Sequence, residues 1–415
     1  MRRGSGDAGG AAEAVVRRSY GKLVAFLASR TGDVAAAEDA LSDAFAAALA
    51  DWPANGVPAN PEGWLTVVAR RKIGDTGRRR RHVDEAAAPL LLIAEELEAV
   101  KFATDIPDER LRLMFACAHP AIDPAIRAPL ILQTILGFDA GAVGSAFLVA
   151  PATMGQRLVR AKTKIREAGI PFRVPEANEI SERLDAVLSA IYAVFAEGWS
   201  DPAGTETRQR SLAEEGIWLG RLVVSLLPGE PEALGLLALM LHAEARRDAR
   251  RNVQGDYVPL AEQDPARWEA TLIDEAEAIL LQASAMGVVG RYQLEAAVQS
   301  AHVARRRTGR TEWGAIAQLY DALLTITGSP VVAVNRAVAI GESRGVEAGL
   351  AALDAIANDA RLAAYQPYWA ARAELLARSG DTAAAALAYH QAIGLEADPA
   401  VRRFLQRRRA ALRVN

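Results

Sequence analysis

Apolar residues recur every three or four positions along most of the chain, the spacing that gathers them on one face of a helix. The stretch 33–52 shows this clearly: Asp33 is a candidate N-cap, and Glu38, Asp39 and Asp43 lie off the apolar face. That face is formed by Ala37, Leu41, Ala44, Phe45, Ala48 and Trp52. Alanine is abundant and strand-forming residues are few, so the chain is predicted to be all-α.

A second helix is predicted after a turn-rich loop, PANGVPANP. It begins at Pro61, a residue that suits the first turn of a helix, and it runs through WLTVVARRKIGDTGRRRR. Gly74 and Gly77 weaken its end, so the four arginines at 78–81 are expected on a fraying last turn. Cations in the last turn also suit the helix dipole.

Residues 83–106 are interpreted as a linker with a short amphipathic helix, followed by a second helical block. Within that block, 139–169 has the pattern helix, short turn, helix, with Pro151 starting the second helix and Gly169 ending it. This second helix has a packing face of Met154, Leu158, Ala161 and Ile165, and an opposite face of Thr153, Gln156, Arg157, Arg160 and Lys164. The second helix of a DNA-binding helix-turn-helix needs one apolar face for packing and an opposite basic face for contact with DNA. A merely solvated helix face is the alternative interpretation.

From residue 176 to residue 415 one helical pattern follows another, with a weak repeat over 330–399. The last unit places small and bulky residues as a tetratricopeptide (TPR) repeat does, at Trp369, Ala373, Gly380, Ala385 and Tyr389. Such units stack into a solenoid with a concave binding face. A non-repetitive helical domain with chance spacing is the alternative.

The formal net charge is only −3, but basic residues concentrate in two stretches. Residues 70–82 hold seven basic residues and one acid, and residues 156–173 hold six and one. Focused positive charge of this kind is typical of a nucleic-acid interface. The single cysteine, Cys117, excludes an internal disulfide and a cysteine-based zinc site. No apolar run is long enough to cross a bilayer and the N-terminus lacks a signal-peptide pattern, so a cytoplasmic protein without a membrane partner is expected.

Three short motifs match patterns found in nucleotide-binding, hydrolase or metal sites, but the sequence around each lacks the elements that such a site needs. GSGDAG at 4–9 fits the dinucleotide pattern with no strand before it. GESRG at 341–345 fits a nucleophile elbow around Ser343, but the helical periodicity before it argues against an α/β-hydrolase. His242 has no further ligand-type residues at metal spacing, and no P-loop occurs. No catalytic residue, cofactor or metal is therefore predicted, and an enzyme is not expected.

The first 170 residues resemble bacterial sigma factors of the extracytoplasmic-function group. AEDALSDAFAAALADW and PEGWLTVVARRKIGDTGRRRR are similar to the helix pair of sigma region 2, and GFDAGAVGSAFLVAPATMGQRLVRAKTKIRE stands where region 4 carries its promoter-reading helix-turn-helix. The helical tail resembles the subgroup with a C-terminal TPR-like extension. The resemblance implies a flexible head (1–10), region 2 (11–82), a linker (83–106), region 4 (107–172) and a helical C-terminal extension (176–415) with TPR-like repeats near 330–399.

The resemblance also implies roles for named residues. Core RNA polymerase would bind Glu38, Asp39, Leu41, Asp43 and Phe45. The promoter −10 element would meet Trp64, Arg70, Arg71, Lys72, Arg78, Arg79, Arg80 and Arg81, with the arginine run gripping the DNA backbone. The −35 element would meet Thr153, Gln156, Arg157, Arg160 and Lys164. In the reading helix, Met154-Gly155-Gln156-Arg157 replaces the Val-Lys-Ser-Arg common in the group, so the −35 sequence does not carry over.

A sigma factor that directs core RNA polymerase to promoter DNA and aids its opening is the function that these features favour. Its C-terminal extension would be regulatory: it would either hold the DNA-binding modules apart or shut, or recruit a regulatory protein. Two alternatives stay open from the sequence: a helix-turn-helix activator that works without core polymerase, and a TPR-type interaction scaffold.

Overall fold

The computed structural model describes residues 19–81, 109–147, 149–199 and 207–412. Within these ranges the chain forms helices and no strands, apart from an isolated antiparallel bridge between Arg251 and Tyr257. The all-α prediction is therefore confirmed. The chain divides into two units, Met1–Ala190 and Ile191–Asn415. The predicted head, the predicted linker and the GSGDAG motif lie outside the described residues.

Residues 19–81, the first described part of this unit, form three helices: α1 (19–31), α2 (Val34–Asn55) and α3 (Pro61–Arg81). Asp33 caps α2 as predicted, because its carboxylate accepts a hydrogen bond from the Ala36 amide at 3.1 Å. α3 begins at Pro61 as predicted, but its backbone stays helical through Gly74 and Gly77 to Arg81. The expected fraying is therefore not seen. A glycine costs about 1 kcal/mol inside a helix, which weakens a helix without having to end it.

Between residues 109 and 167 the described chain forms four more helices: α4 (Arg110–Cys117), α5 (Pro124–Leu136), α6 (Ala140–Ala146) and α7 (Pro151–Glu167). Asp123 caps α5 by accepting from the Ala125 amide at 2.9 Å, and Gly137 ends it with φ 68°. α6 ends at Ala146 and α7 begins at Pro151, which occupies the first position of that helix. The predicted packing face of α7 is buried, at Met154, Leu158, Ala161 and Ile165.

The first helix of the unit packs closely on α5. At Gly21 an added Cβ would overlap the backbone carbonyl of Ile135, so the two helix backbones approach with no room for a side chain. Beside this contact, the Tyr20 ring lies about 3.1 Å from where a Cβ of Gly137 would be. Burial, followed by the charges of Glu38 and Asp39, raises the pKa of the Tyr20 hydroxyl. Residues far apart in the sequence therefore share one core.

The remaining helices run from residue 177 to the C-terminal region. They are α8 (Ala177–Trp199), α9 (Thr207–Leu226), α10 (Pro231–Glu244), α11 (Ala270–Ser284), α12 (Arg291–Val303), α13 (Arg305–Thr308), α14 (Trp313–Thr327), α15 (Pro330–Arg344), α16 (Val346–Asp354), α17 (Gln366–Ser379), α18 (Thr382–Leu395) and α19 (Pro399–Ala411).

The predicted last repeat corresponds to the helix pair α17 and α18. Ala373, Ala385 and Tyr389 are buried between the helices, and Gly380 makes the turn with φ 89°. Trp369 is half-buried, and its indole N–H donates to the Ala363 carbonyl at 3.0 Å. The helix pair is present where it was predicted; its assignment to the TPR class stays a prediction.

Acid is expected to destabilise the second unit through His242. This side chain is 0% exposed, and burial together with the nearby Arg246 guanidinium lowers its pKa to about 4, although Glu277 lies 3.4 Å away. Because the unfolded chain takes up the proton first, stability is lost as the pH falls from about 6.5 toward 4. At pH 5 we expect a loss of about 2 kcal/mol from this one group.

Denaturant unfolding at pH 7 and pH 5 measures this effect. His242→Phe should show a smaller pH-dependent loss than the wild type. His390→Phe, which changes an exposed histidine, is the matched control and should keep the wild-type loss. Equal pH dependence in all three proteins would contradict the assignment.

Candidate polymerase and nucleic-acid interface

The predicted DNA-reading face of α7 is exposed to solvent. Thr153, Gln156, Arg157, Arg160 and Lys164 are all exposed. The three cations border a shallow cleft of about 220 Å³ whose other wall is the start of α5, from Ile122 to Ile126. Within the described residues, none of these three cations forms an ion pair. The Asp123 side chain also lines this cleft. The helix thus presents three exposed cations beside one acid, and exposed cations are what binding to a phosphate backbone requires.

The predicted −10 helix, α3, presents a mixed surface. Trp64 is half-buried and meets the buried Trp52 edge to face, with ring centroids 5.6 Å apart and planes at 65°. Arg70 is half-buried, whereas Arg71 and Lys72 are exposed. The four arginines at 78–81 belong to the last turn of the helix, and the structure does not describe their side chains. Trp52 therefore belongs to the core, while Trp64 on α3 keeps part of its side chain accessible to solvent.

The predicted polymerase surface on α2 divides into exposed and buried residues. Asp39 and Asp43 are exposed, and the Asp43 carboxylate lies 3.6 Å from the Lys72 ammonium. Phe45 is half-buried. Leu41 is 0% exposed, because it lies on the same apolar face as Ala37 and Ala44. Its prediction as a direct polymerase contact is corrected here: in this structure it holds the helix in place.

Glu38 is mostly buried, against a residue that the sequence analysis did not single out. The Lys162 ammonium on α7 lies 2.5 Å from the Glu38 carboxylate, and the two side chains are only 10% and 15% exposed. Arg166 on α7 reaches Asp33 at 3.3 Å. A signal for Lys162 exists in the sequence, since it lies four residues after Leu158 and three before Ile165, both on the packing face. A lysine on a packing face must either pair with a buried carboxylate or extend its ammonium group to solvent.

The lone cysteine lies in the same core. Cys117 is fully buried, with its Sγ 3.7 Å from the Thr134 hydroxyl. Burial raises the pKa of the thiol to about 12, which leaves it protonated and unreactive at neutral pH.

The nucleophile-elbow motif is part of a helix. Ser343 lies inside α15, and its hydroxyl donates to the Ala339 carbonyl at 2.7 Å. An elbow needs a sharp strand-to-helix turn that exposes the serine, so this motif carries no hydrolase site. In the part of the chain that the structure describes, no helix is both long and apolar enough to cross a membrane.

Two family models match parts of this chain. Residues 15–83 match Sigma-70 region 2, and residues 183–284 match a family of unknown function, DUF6596. The first match covers α1 to α3, where the resemblance placed region 2. It indicates a sigma-factor-like role in RNA polymerase binding and promoter recognition, which is a role in transcription initiation and not in enzymatic catalysis. No solved structure matches the chain.

A relative covers most of both proteins. The uncharacterized protein R00370 of Rhizobium meliloti (strain 1021) is 37% identical over 368 residues, which is 86% of this chain and 86% of the relative. A match of this length extends through both units. This chain therefore belongs to the same family as the Rhizobium protein, and its N-terminal part carries a sigma-70 region 2 domain.

Proposed function

We propose that this protein is a sigma factor of the extracytoplasmic-function type, with residues 107–172 acting as region 4 and residues 176–415 as a regulatory, TPR-like extension. The observation that carries the proposal is the face of α7. In a chain with a region 2 domain, α7 follows the short helix α6 and presents three exposed cations, none of which forms an ion pair within the described residues. Such a helix suits the major groove of duplex DNA.

The division of labour follows from the chemistry of each surface. Region 2 would bind polymerase through the exposed acids of α2 and hold promoter DNA through the basic residues of α3. Predicted region 4 would position itself by phosphate contacts and read bases with Gln156 and Arg157. Bond-making is left to the polymerase, so the protein needs no catalytic group of its own.

Transcription in vitro with purified core RNA polymerase tests the proposal. The full chain should co-elute with core enzyme on gel filtration and confer initiation at defined start sites. A helix-turn-helix activator would bind promoter DNA without co-eluting with core enzyme. An interaction scaffold would do neither, and would show negligible DNA affinity at low salt.

Asp39→Arg is expected to weaken binding to core polymerase by about tenfold or more, because like charges across an interface disfavour docking. Asp39 is exposed and forms no ion pair within the described residues, so the change leaves the fold intact. Asp185→Arg, which reverses an exposed acid on α8, is the matched control and should bind normally. Titration of labelled core enzyme measures both, and equal affinities would remove Asp39 from the interface.

A further inference from the structure

The second unit contains a cavity of about 520 Å³ between its helices. Its walls come from α8, α10, α12, α14 and α15, and every lining residue falls within Ile191–Asn415. Leu239, Val298 and Leu323 are buried and form an apolar part of the wall. Small-molecule sites are concave, measure about 300–1,000 Å³ and combine an apolar lining with a few polar groups. This cavity has the size and the lining of such a site.

Three polar side chains of α12 are held in place at the cavity. The Arg291 Nε donates to the Glu295 Oε1 at 2.8 Å. The Gln299 Oε1 accepts from the guanidinium of the buried Arg246 at 2.5 Å. Each contact restricts a flexible side chain before any ligand arrives, which lowers the conformational entropy that is lost on binding. The polar part of the wall is therefore preorganised.

Other polar atoms at the cavity are left with hydrogen-bonding capacity. Among the described residues, the hydroxyls of Tyr192 and Tyr320 form no hydrogen bond, and the Oε2 of Glu295 accepts none. A hydroxyl can donate one hydrogen bond and accept others, and a carboxylate oxygen can accept two. Polar groups in a partly closed site are normally satisfied by a partner or by water. These three groups are therefore the ones that a polar ligand would contact.

The carboxylate of Glu295 sets the sign of the potential at the two tyrosines. Its side chain is 20% exposed and that of Arg291 is 43% exposed, so the acid lies deeper than its partner. Burial, followed by the charge of Glu295, raises the pKa of Tyr320 to about 12. The same two causes raise the pKa of Tyr192, and Arg291 opposes them more weakly. The interior of the cavity at these hydroxyls is therefore negative.

A negative potential beside tyrosines and an apolar wall suits a cationic ligand. A protonated amine donates to a carboxylate in a charge-assisted hydrogen bond, which is stronger than a neutral one. Tyrosine rings also attract ammonium ions. An apolar body attached to the amine would contact Leu239, Val298 and Leu323. An anionic ligand would instead face the Glu295 carboxylate, and this repulsion discriminates against it.

We propose that this cavity binds a small organic amine, in which a protonated amino group is attached to an apolar body. The ammonium group contacts the Oε2 of Glu295 and the hydroxyls of Tyr192 and Tyr320. The apolar wall contacts the body of the ligand. This inference goes beyond the proposed function, because the site belongs to the second unit alone and its occupancy is measured without polymerase or DNA.

A titration of the full chain with three matched probes, followed by saturation-transfer NMR, tests the class of ligand. The probes are phenethylamine, hydrocinnamate and phenethyl alcohol, which share an aromatic body and differ in charge. Phenethylamine should bind about tenfold more tightly than either of the others, because hydrogen bonds between charged groups are the stronger ones. Equal affinities, tighter binding of hydrocinnamate, or no binding of the amine would each overturn the proposal.

Removing the charge of Glu295 tests its role in the site. Glu295→Gln keeps the shape of the side chain, so the affinity for phenethylamine should fall about tenfold while that for phenethyl alcohol stays the same. Glu347→Gln, which neutralises an exposed acid of the same unit outside the cavity wall, is the matched control and should bind like the wild type. If Glu295→Gln keeps the wild-type affinity for the amine, the carboxylate does not hold the ligand and the proposal fails.

Removing the two hydroxyls tests where the ammonium group lies. The double change Tyr192→Phe with Tyr320→Phe keeps both rings, and the affinity for phenethylamine should fall about threefold or more. Tyr389→Phe removes a hydroxyl that bonds to Glu374 elsewhere in the unit and should leave this affinity unchanged. An unchanged affinity in the double variant would contradict the placement of the amine between α8 and α14.

Discussion

A Gly21→Ala protein is expected to lose about 3 kcal/mol of stability in its first unit, an unusually large effect for one methyl group. The added Cβ would overlap the Ile135 carbonyl, and a backbone group cannot move aside as a side-chain tip can. Either α1 shifts away from α5 or the hydrogen bonds of α5 are distorted. The free energy of unfolding, from denaturant titration, measures the loss.

Gly155→Ala is the matched control for this change. Gly155 lies inside α7, where an added Cβ would be at an ordinary 3.6 Å from the Ala140 side chain. Because alanine favours a helix over glycine, this variant should be unchanged or more stable by about 0.5–1 kcal/mol. Equal stability of the two variants would show that α1 and α5 are not in contact in solution.

Neutralising the cationic face of α7 should weaken duplex DNA binding by about 100-fold at physiological salt and reduce the salt slope by about three units. The variant combines Arg157→Gln, Arg160→Gln and Lys164→Gln. These side chains lack ion pairs within the described part of the chain, so their charge is available to phosphates. Fluorescence anisotropy over a range of salt concentrations gives both quantities.

A paired arginine provides the control for that experiment. The Arg221 guanidinium donates to both carboxylate oxygens of Glu275, at 2.9 and 2.7 Å. Arg221→Gln should therefore leave the salt slope of DNA binding unchanged.

The single change Arg157→Ala distinguishes a base contact from a contact with the DNA backbone. A base contact should cost about 1–3 kcal/mol and relax sequence preference at one position, whereas a phosphate contact should weaken all sequences alike. A triple variant with the wild-type slope would assign DNA binding to another surface.

Local features of this fold could be predicted from sequence because their causes are local. Asp33 caps α2 with its own side chain, Pro151 starts α7, and the two faces of α7 follow from its 3.6-residue period. The end of α3 was predicted less well, because glycine propensity is a weak constraint that neighbouring turns can override.

Contacts between distant segments could not be predicted in the same way. Glu38 and Lys162 are 124 residues apart, and periodicity does not say which helix a buried lysine will meet. Leu41 illustrates the same limit, since an apolar position on an acidic helix suits both a core and a docking surface. The exposure of the polar face of α7 follows from its helical period, whereas the burial of Glu38 depends on tertiary packing.

Because the Cys117 thiol is buried, the natural chain is well suited to site-specific labelling for spectroscopy. A protonated, inaccessible sulfur does not compete with an introduced surface cysteine for maleimide dyes or spin labels. Single probes on α2 and α7 could therefore be attached without first removing a native residue. Distances between the modules could then be followed on single molecules as transcription complexes assemble.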